Sequence, residues 1–228
     1  MNFDKFSNDY AQIYAETIKI SGESSDYFYK YKINILNSFY SRHKIDNHIK
    51  LLDLGCGIGQ MEDYICSVCP GIEIYGIDTS EKSINVAREK NKEISFFVYD
   101  GKKIPFEDNF FDAVLLSNVL HHILPDDRKN ILDEIHRALK VNGYLFIFEH
   151  NPLNLLTRYV VKTCVFDKDA HLLTNWNCSN IIKKSGFFSK EAKYIVFFPK
   201  FLKFLRKFEE KLGACPLGAQ YFIAAYKK

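Results

Sequence analysis

Three alternating glycines after an apolar run constrain the fold more than any other feature of the chain. Residues 51–60 read Leu-Leu-Asp-Leu-Gly-Cys-Gly-Ile-Gly-Gln. The segment Lys50–Leu54 predicts a buried strand of a parallel sheet. Gly55, Gly57 and Gly59 then allow a sharp turn in which the backbone approaches a ligand without interference from a Cβ atom. A helix that begins directly after the turn would point its N-terminal amides into the same space.

Strand-like and helix-like segments alternate after this loop. Apolar runs predict further strands at residues 72–77, 94–99, 111–116 and 144–148. Helices are predicted between them at residues 59–69, 79–90 and 126–140. This order predicts an α/β protein with a Rossmann-like, doubly wound sheet and helices on both faces.

The two flanks differ from this alternating region. Residues 1–48 look helical and aromatic, and we expect them to form an N-terminal helical cap. After a long connection, the closing elements are predicted to be a helix at 175–184, a strand at 194–198, a helix at 200–212 and a strand at 220–226. We expect a single domain over residues 1–228, with a ligand-binding core at 49–150 and a second cap with the final strands at 151–228.

The composition is that of an ordinary globular protein, with 47% hydrophobic and 26% charged residues. A net charge of +3 is too small to indicate nucleic-acid or membrane binding by itself. The N-terminus lacks the features of a signal peptide, and no apolar run reaches the roughly 20 residues that cross a bilayer. We therefore expect a cytoplasmic protein.

The cysteines are scattered, and Cys66 and Cys69 form the one Cys-x-x-Cys pair. A zinc site of that kind needs a second pair at matching spacing, which the sequence lacks. We predict buried thiols, with no metal site and no disulfide; a thioredoxin-like redox pair is the alternative.

Acidic residues follow the predicted strands, at the edge of an open α/β sheet where ligands bind. They are Asp53, Asp78 and Asp100, and Asp78 lies 23 residues beyond Gly55, where an acid accepts hydrogen bonds from ribose hydroxyls. A nicotinamide enzyme has Gly-x-Gly-x-x-Gly, whereas Gln60 here follows Gly-x-Gly-x-Gly. The acids favour a ligand with an ammonium or sulfonium over one with a pyrophosphate.

These residues resemble class I S-adenosylmethionine-dependent methyltransferases of the small-molecule type. Residues 53–59 are similar to the first motif of that family, and Asp78 is similar to the acid after its second strand. The other matching segments, in the same order, are Asp100-Gly101 with Ile104-Pro105-Phe106, 111–122 and 139–145. The resemblance covers residues 45–150 and implies a sheet of seven strands, of which the last is antiparallel.

The resemblance implies S-adenosylmethionine as cofactor and assigns its contacts. Asp53 would help hold the methionine amino group, Asp78 would bind both ribose hydroxyls, and Asp100 would meet the adenine amino group. Ser117 would offer its backbone carbonyl to the methionyl ammonium. The other implied contacts are Gly55, Cys56, Gly57, Gly59, Thr79 and Gly101. The alternative for the acids is that they only cap helices or turns.

Methyl transfer requires alignment of donor and acceptor, and a hydroxyl acceptor also benefits from a general base. His121, His122, Glu149 and His150 follow the fourth and fifth strands. In the resembling family the position of His121 tends to face the acceptor and that of His122 tends to be structural. We predict His121 or His150 as the base; the alternative is that both orient neighbouring groups.

The segment after residue 150 is predicted to cover the acceptor. Asn151, Arg158 and His171 would face a polar substrate there. Arg158 would bind a phosphate or carboxylate, unless it pairs with Asp167 or Asp169.

Aromatic residues at helical spacing occur in the first predicted helix: Phe3, Phe6, Tyr10 and Tyr14. Related methyltransferases close such a helix over the cofactor, which implies Tyr10 or Tyr14 here; simple packing is the alternative. The basic amphipathic helix at 200–212 is expected to cover the sheet or form a homodimer contact, with a membrane surface as the less favoured alternative. We expect no nucleic-acid partner, because basic residues are not concentrated elsewhere.

Together these features predict a methyltransferase acting on a small polar metabolite. A hydroxyl of a sugar, nucleotide-linked sugar or phosphorylated compound is the expected acceptor, because the 149–173 segment is polar and similar to enzymes of bacterial surface-polysaccharide pathways. An apolar quinone or lipid acceptor stays open, because Phe and Tyr are abundant in both flanks. A non-catalytic cofactor-binding module and an RNA or protein methyltransferase are further alternatives.

Overall fold

The computed structural model describes residues 10–45, 48–69 and 71–228. Within them, seven strands form one sheet in the order β3-β2-β1-β4-β5-β7-β6. The strands are β1 Lys50–Leu54, β2 Glu73–Asp78, β3 Ser95–Val98, β4 Phe111–Ser117, β5 Leu139–His150, β6 Phe187–Ile195 and β7 Gln220–Lys227. Strands β1 to β5 pair in parallel, and β7 is antiparallel to both β5 and β6. The predicted fold class, including the antiparallel last strand, is confirmed.

Helices cover both faces of this sheet. They are α1 Tyr10–Ile18, α2 Ser25–His43, α3 Glu62–Val68, α4 Glu81–Lys90, α5 Arg128–Ala138, α6 Leu155–Thr163 and α7 Asn175–Lys184. Short 3₁₀ segments span Lys19–Ser21 and Leu120–His122, and a longer one spans Lys200–Leu212. The helix predicted at 175–184 is confirmed as α7, whereas α6 lies inside the predicted connection.

The strand predicted at 194–198 is wrong. Strand β6 runs from Phe187 to Ile195, and its middle carries the exposed Lys190 and the half-buried Glu191 and Lys193. It is an edge strand of the sheet, where charged side chains discourage pairing with another chain. The apolar pattern that normally marks a strand is therefore weak there.

Helix α2 packs its apolar side on one face of the sheet. Phe39 has no exposed surface, and its ring meets the edges of Tyr144, Phe146 and Phe222 from β5 and β7. Aromatic edge-to-face contacts of this kind add to the burial of apolar area. The N-terminal helical layer is thereby anchored above the centre of the sheet.

Helix α5 packs on the opposite face. The apolar positions predicted for it, Ile131, Leu132, Ile135 and Ala138, are all buried. The sheet therefore lies between two apolar layers, and the carboxyl ends of β1, β2, β4 and β5 meet along one edge. At the end of β4, Asn118 takes φ +60° and its N–H donates to Phe148 O at 2.8 Å, which turns the chain out of the sheet.

The basic segment Lys200–Leu212 is fixed by one buried acid. Glu209 accepts hydrogen bonds from the Tyr31 hydroxyl at 2.8 Å and from two backbone amides, those of Phe197 and Phe198. Its Phe201 and Phe204 side chains are exposed. The expectation of a sheet cover or homodimer contact stays a prediction.

Candidate functional site

A large cavity lies beyond the carboxyl ends of the parallel strands, between the sheet, α2 and α6. Its volume is about 830 Å³, which is in the usual range for small-molecule sites. The predicted cofactor contacts that line it are Asp53, Gly55, Cys56, Gly57, Asp78, Thr79, Asp100, Gly101 and Ser117. Gly59 instead packs behind the loop, where an added Cβ would meet Ala87 and Phe96.

The loop after β1 is held against the end of β2. The N–H groups of Gly55 and Cys56 both donate to Ile77 O, at 2.7 and 3.2 Å. Gly55 has φ +83°, and a Cβ there would lie 2.6 Å from a Val119 methyl group. Gly57 has φ +56°, and an added Cβ would meet nothing within 4 Å. The loop therefore leaves open space above Gly57, where a ligand can approach the backbone.

Asp78 fixes the same loop from the end of β2. Its Oδ2 accepts a hydrogen bond from Gly57 N at 2.9 Å, and its Oδ1 accepts from Ser80 N at 2.8 Å. Ser80 in turn caps α4 by accepting from Ser83 N at 3.1 Å. Asp78 therefore both shapes the glycine loop and presents a carboxylate to the cavity.

Asp53 and Glu62 form a buried carboxyl pair beneath the loop. Their side chains are 3% and 0% exposed. As carboxylates, Asp53 Oδ1 and both Glu62 oxygens lack a hydrogen-bond donor among the described residues. Burial and the charge of Asp78 raise the pKa of Asp53 to about 7. Burial and the charge of Asp53 raise the pKa of Glu62 well above its usual value. Such a pair shares a proton until a cation arrives.

Lys32 reaches the cavity from α2. Its side chain is 2% exposed, and Nζ donates to Ser117 Oγ at 2.9 Å. Burial lowers the pKa of Lys32 to about 8, although the charges of Glu149 and Asp53 oppose this change. A cation is therefore present at neutral pH beside the end of β4.

The 3₁₀ turn Leu120–His122 follows β4 directly and is tied to the end of β5. Glu149 Oε1 accepts from Leu120 N at 2.7 Å, and Glu149 Oε2 lies 2.6 Å from His121 Nδ1. Both His121 and Glu149 are almost fully buried. Glu149 therefore fixes the orientation of the His121 ring.

Asp167, in the loop after α6, faces two histidines. Its Oδ1 lies 3.3 Å from His121 Nε2 and 3.6 Å from His122 Nε2. Burial alone would lower the pKa of His121, but the carboxylates of Glu149 and Asp167 outweigh it and raise that pKa to about 9. Burial and the neighbouring His121 charge lower the pKa values of His122 and His150 to about 4.

Both predicted bases, His121 and His150, line the cavity together with His122. The ring centroids of His121 and His150 are 5.2 Å apart. His121 is enclosed between two carboxylates, whereas His150 is only partly buried. The choice between them stays a prediction.

Outside the expected cofactor contacts, the cavity is lined by an apolar wall of ten residues and by polar side chains, among them Thr17, Ser21, Asp127, Asn130, Asn154, Thr157 and Gln220. The residues of the apolar wall are Ile18, Ile20, Phe28, Ile123, Leu124, Leu156, Val160, Phe166, Phe197 and Phe198. Two charged residues of the cavity, Arg206 and Glu23, are paired with each other at 2.8 Å. The apolar wall therefore offers a ligand hydrophobic contact beside these polar groups.

Three residues expected to bind a polar acceptor do not line this cavity. Asn151 is buried, and its Nδ2 donates to two backbone carbonyls at 2.9 and 2.8 Å. Arg158 lines a shallow groove on the outer side of α6. His171 is exposed, and its backbone N–H donates to His121 O at 2.7 Å. The structure does not bring these three side chains together with the cofactor contacts.

Tyr14 does line the cavity, and its ring stacks on Tyr29 with centroids 5.9 Å apart. The Tyr29 hydroxyl donates to Gln60 Oε1 at 2.5 Å, next to the glycine loop. The side chain of Tyr10, and residues Phe3 and Phe6, lie outside the described part of the chain.

The sequence did not identify Lys32 and Glu62 as residues of the site, and it suggested Asp167 only as a partner of Arg158. Lys32 falls on the same face of α2 as the buried Tyr29 and Leu36, and a lysine at such an apolar position was the available signal. Asp167 was expected to pair with Arg158; its Oδ1 instead faces the histidines. No pattern in the sequence relates Asp167 to them, because the loop after α6 and the end of β4 are distant along the chain.

Residues 52–147 match the family described as methyltransferase domain. Over 108 residues the chain is 35% identical to a demethylmenaquinone methyltransferase of Thermotoga maritima, covering 47% of this chain and 46% of that protein. Over 122 residues it is 34% identical to a ubiquinone biosynthesis O-methyltransferase of Pelagibacter ubique, covering 51% and 49%. The chain thus matches about half the length of these two relatives.

The fold is also similar to solved structures. A SAM-dependent methyltransferase from Archaeoglobus fulgidus superposes with a TM-score of 0.64 over 86% of this chain and 94% of that one, at 18% identity. At that identity the similarity shows a shared fold. Among the described residues, no helix is both long and apolar enough to span a membrane.

Proposed function

Because this chain contains a class I S-adenosylmethionine-dependent methyltransferase domain, we propose that it transfers a methyl group to an oxygen of a small, largely apolar acceptor. The observation that carries the acceptor class is the apolar wall of the cavity, the ten apolar side chains that line it. Bound S-adenosylmethionine supplies an electrophilic methyl group on a sulfonium. The chain's own residues hold that cofactor, position the acceptor and exclude water.

The cavity fits the cofactor on features of this structure. Apart from the proton shared with Glu62, Asp53 Oδ1 is a buried acceptor without a donor among the described residues, as expected where a ligand ammonium binds. The space above Gly57 accepts a ligand at van der Waals distance from the backbone. Asp78 presents its carboxylate to the same space and would hold the ribose hydroxyls. Asp100 is exposed at the rim and would meet the adenine amino group.

Lys32 completes this set with a positive charge. The amino-acid part of the cofactor carries a carboxylate as well as an ammonium, so it needs a cation beside the acids. Lys32 is buried and lines the cavity, and its Nζ donates a hydrogen bond to Ser117 Oγ, so it can supply this positive charge. We assign to Lys32 the binding of that carboxylate.

His150 is our candidate for the group that receives the acceptor proton. It lies at the end of β5 and lines the cavity beside the apolar wall. The other contribution of the protein is alignment. Holding the acceptor oxygen in line with the methyl carbon lowers the barrier by fixing the geometry of the reacting atoms. Replacing His150 with alanine is expected to lower kcat for a hydroxyl acceptor about 10²-fold or more.

The apolar wall favours a quinone-like or other ring acceptor over a sugar. The polar side chains that supported a sugar acceptor, Asn151, Arg158 and His171, lie outside the cavity. The two relatives are named for menaquinone and ubiquinone biosynthesis, which supports the same class. None of these three residues therefore supports a sugar acceptor of a surface-polysaccharide pathway in this cavity.

A labelled-methyl assay tests the proposal. The purified protein is incubated with methyl-tritiated S-adenosylmethionine and either a short-chain hydroquinone or a nucleotide sugar, and each product is counted. We expect label in the hydroquinone. Label in the nucleotide sugar alone would contradict the acceptor class, and S-adenosylhomocysteine binding without label in any acceptor would favour the non-catalytic alternative.

A matched pair of variants tests whether the apolar wall of the cavity binds the acceptor. Leu156 lines the cavity, whereas the preceding Leu155 is 77% exposed and faces the outer groove. Leu156→Asp should raise KM for the apolar acceptor while S-adenosylhomocysteine binding is unchanged. Leu155→Asp should change neither.

A further inference from the structure

The cluster of His121, His122 and Asp167 has the composition and shape of a metal site. Histidine nitrogens and carboxylate oxygens are the ligands of catalytic zinc and related first-row ions. One ligand atom from each of the three residues lies within 4.8 Å of the others. We propose that these three residues bind a divalent transition-metal ion on the acceptor side of the cavity.

Two of the three distances between the ligand atoms match this use. Metal–nitrogen and metal–oxygen bonds of about 2.1 Å place neighbouring ligand atoms roughly 3.0 to 3.4 Å apart. Asp167 Oδ1 lies 3.3 Å from His121 Nε2 and 3.6 Å from His122 Nε2. Around one ion these two distances would change by only tenths of an ångström, and the third, between the ligand atoms of the two histidines, lies within 4.8 Å.

Glu149 supplies the outer contact that metal-bound histidines ordinarily have. A ligating imidazole usually donates its other ring N–H to a carboxylate, which fixes the tautomer and the ring orientation. Glu149 Oε2 lies 2.6 Å from His121 Nδ1, and its other oxygen is anchored by Leu120 N. An ion bound here would displace the proton between His121 Nε2 and Asp167, and with the other proton kept on Nδ1, Nε2 becomes the ligand atom.

The loop that carries Asp167 is fixed to the histidine segment from both sides. His171 N donates to His121 O at 2.7 Å. Arg128 donates to Leu120 O and Ile123 O at 3.0 and 3.1 Å and also binds His171 O. Ligands from two distant segments are thus held in one geometry before an ion binds, which limits the cost of ordering them.

The effect of this ion on methyl transfer rests on the proposed function. Three protein ligands leave at least one coordination position open towards the cavity. An ion bound there would hold an acceptor hydroxyl and lower its pKa, so the favoured substrates would carry a hydroxyl next to a second oxygen. The prediction that the chain lacks a metal site considered only its cysteines.

Cobalt provides a test that does not depend on turnover. The purified protein is treated with a chelator, exchanged into metal-free buffer and titrated with Co²⁺, with visible absorption recording coordination and calorimetry with Zn²⁺ recording stoichiometry. We expect one ion per chain. Asp167→Asn and His122→Ala should each weaken binding at least tenfold, whereas the exposed neighbour Asp169→Asn and His136→Ala on α5 should bind as the wild type does.

Binding of S-adenosylhomocysteine is measured on the same samples to separate the two proposals. Retained binding in Asp167→Asn and His122→Ala shows that these variants are folded. Absence of Co²⁺ and Zn²⁺ binding in a wild-type protein that binds S-adenosylhomocysteine would overturn the metal site alone. Equal metal affinity of Asp167→Asn and Asp169→Asn would overturn it too. Failure of the wild type to bind S-adenosylhomocysteine would instead count against the proposed function.

Discussion

Lys32 Nζ lies 2.9 Å from Ser117 Oγ, so a side chain of the N-terminal helical layer reaches the carboxyl end of β4. The two residues are 85 positions apart in the chain. Through this contact the cavity combines the buried ammonium of Lys32 with the acids at the ends of β1 and β2. A zwitterionic amino-acid group is the ligand that matches both signs of charge.

Lys32→Met should weaken S-adenosylhomocysteine binding by at least about 30-fold. Truncation of one partner of a buried charge pair costs about 2–5 kcal/mol, and each 1.4 kcal/mol is tenfold in affinity. Calorimetry on the purified variant measures the change. The exposed neighbour Lys30 provides the matched control, and Lys30→Met should bind as the wild type does.

A second ligand isolates the carboxylate contact. Methylthioadenosine lacks the amino-acid carboxylate and ammonium, so its affinity should be similar in the wild type and in Lys32→Met. An equal loss of affinity for both ligands would show that Lys32 only supports the shape of the cavity.

Cofactor affinity should depend on pH in a bell shape with its maximum between about pH 7 and 8. The pKa of Asp53 is raised to about 7, so below that value the carboxyl is protonated and loses its attraction for the ligand ammonium. The pKa of Lys32 is lowered to about 8, so above that value the amine is neutral and loses the ligand carboxylate. Calorimetric titrations with S-adenosylhomocysteine from pH 5.5 to 9 measure both limbs.

Glu62→Leu should move the acid limb of that profile to higher pH. The pKa of Glu62 is raised well above its usual value, so its carboxyl stays protonated, and its hydrogen bond lowers the pKa of Asp53; leucine removes that donor. The exposed neighbour Asp63 is the control, and Asp63→Asn should leave the limb in place. An acid limb unmoved in Glu62→Leu would refute the assignment of that limb to the carboxyl pair.

Phe39→Ala should lower the free energy of unfolding by about 3–5 kcal/mol, as is usual for the loss of a fully buried phenylalanine. Its ring has no exposed surface and joins α2 to β5 and β7. Urea unfolding at fixed pH measures the change. Phe201 is 76% exposed, and Phe201→Ala should stay within about 0.5 kcal/mol of the wild type. Similar losses in both variants would contradict the anchoring role of Phe39.

The alternating core was predictable because its elements carry strong local signals. Strand β1 agrees with the predicted segment at both ends, and the apolar face of α5 is buried as its spacing indicated. Helix α6 was missed because Leu155 and Leu156 are substantially exposed, which leaves the helix without a fully apolar face. Its N-cap, where Asn154 accepts from Thr157 N at 2.9 Å, was the local signal available.

The candidate site was predictable where one short motif forms it, and not where several segments converge. The contacts around Gly57 and Asp78 come from two adjacent strand ends, and the sequence resemblance named both. Lys32 and Asp167 reach the cavity from the two flanks, whose packing on the core depends on tertiary contacts. For the same reason the sequence alone suggested a polar acceptor cap, because it cannot show that Arg158 faces away from the cavity.

Binding of S-adenosylhomocysteine to the wild type and to Asp78→Ala tests the central claim most directly. Asp78 shapes the glycine loop through Gly57 N and would hold the ribose, so its loss should lower affinity at least tenfold. The account predicts one binding site per chain in the wild type and markedly weaker binding in the variant, as measured by calorimetry at pH 7.5. No binding by the wild type, or equal binding by a folded Asp78→Ala protein, would contradict it.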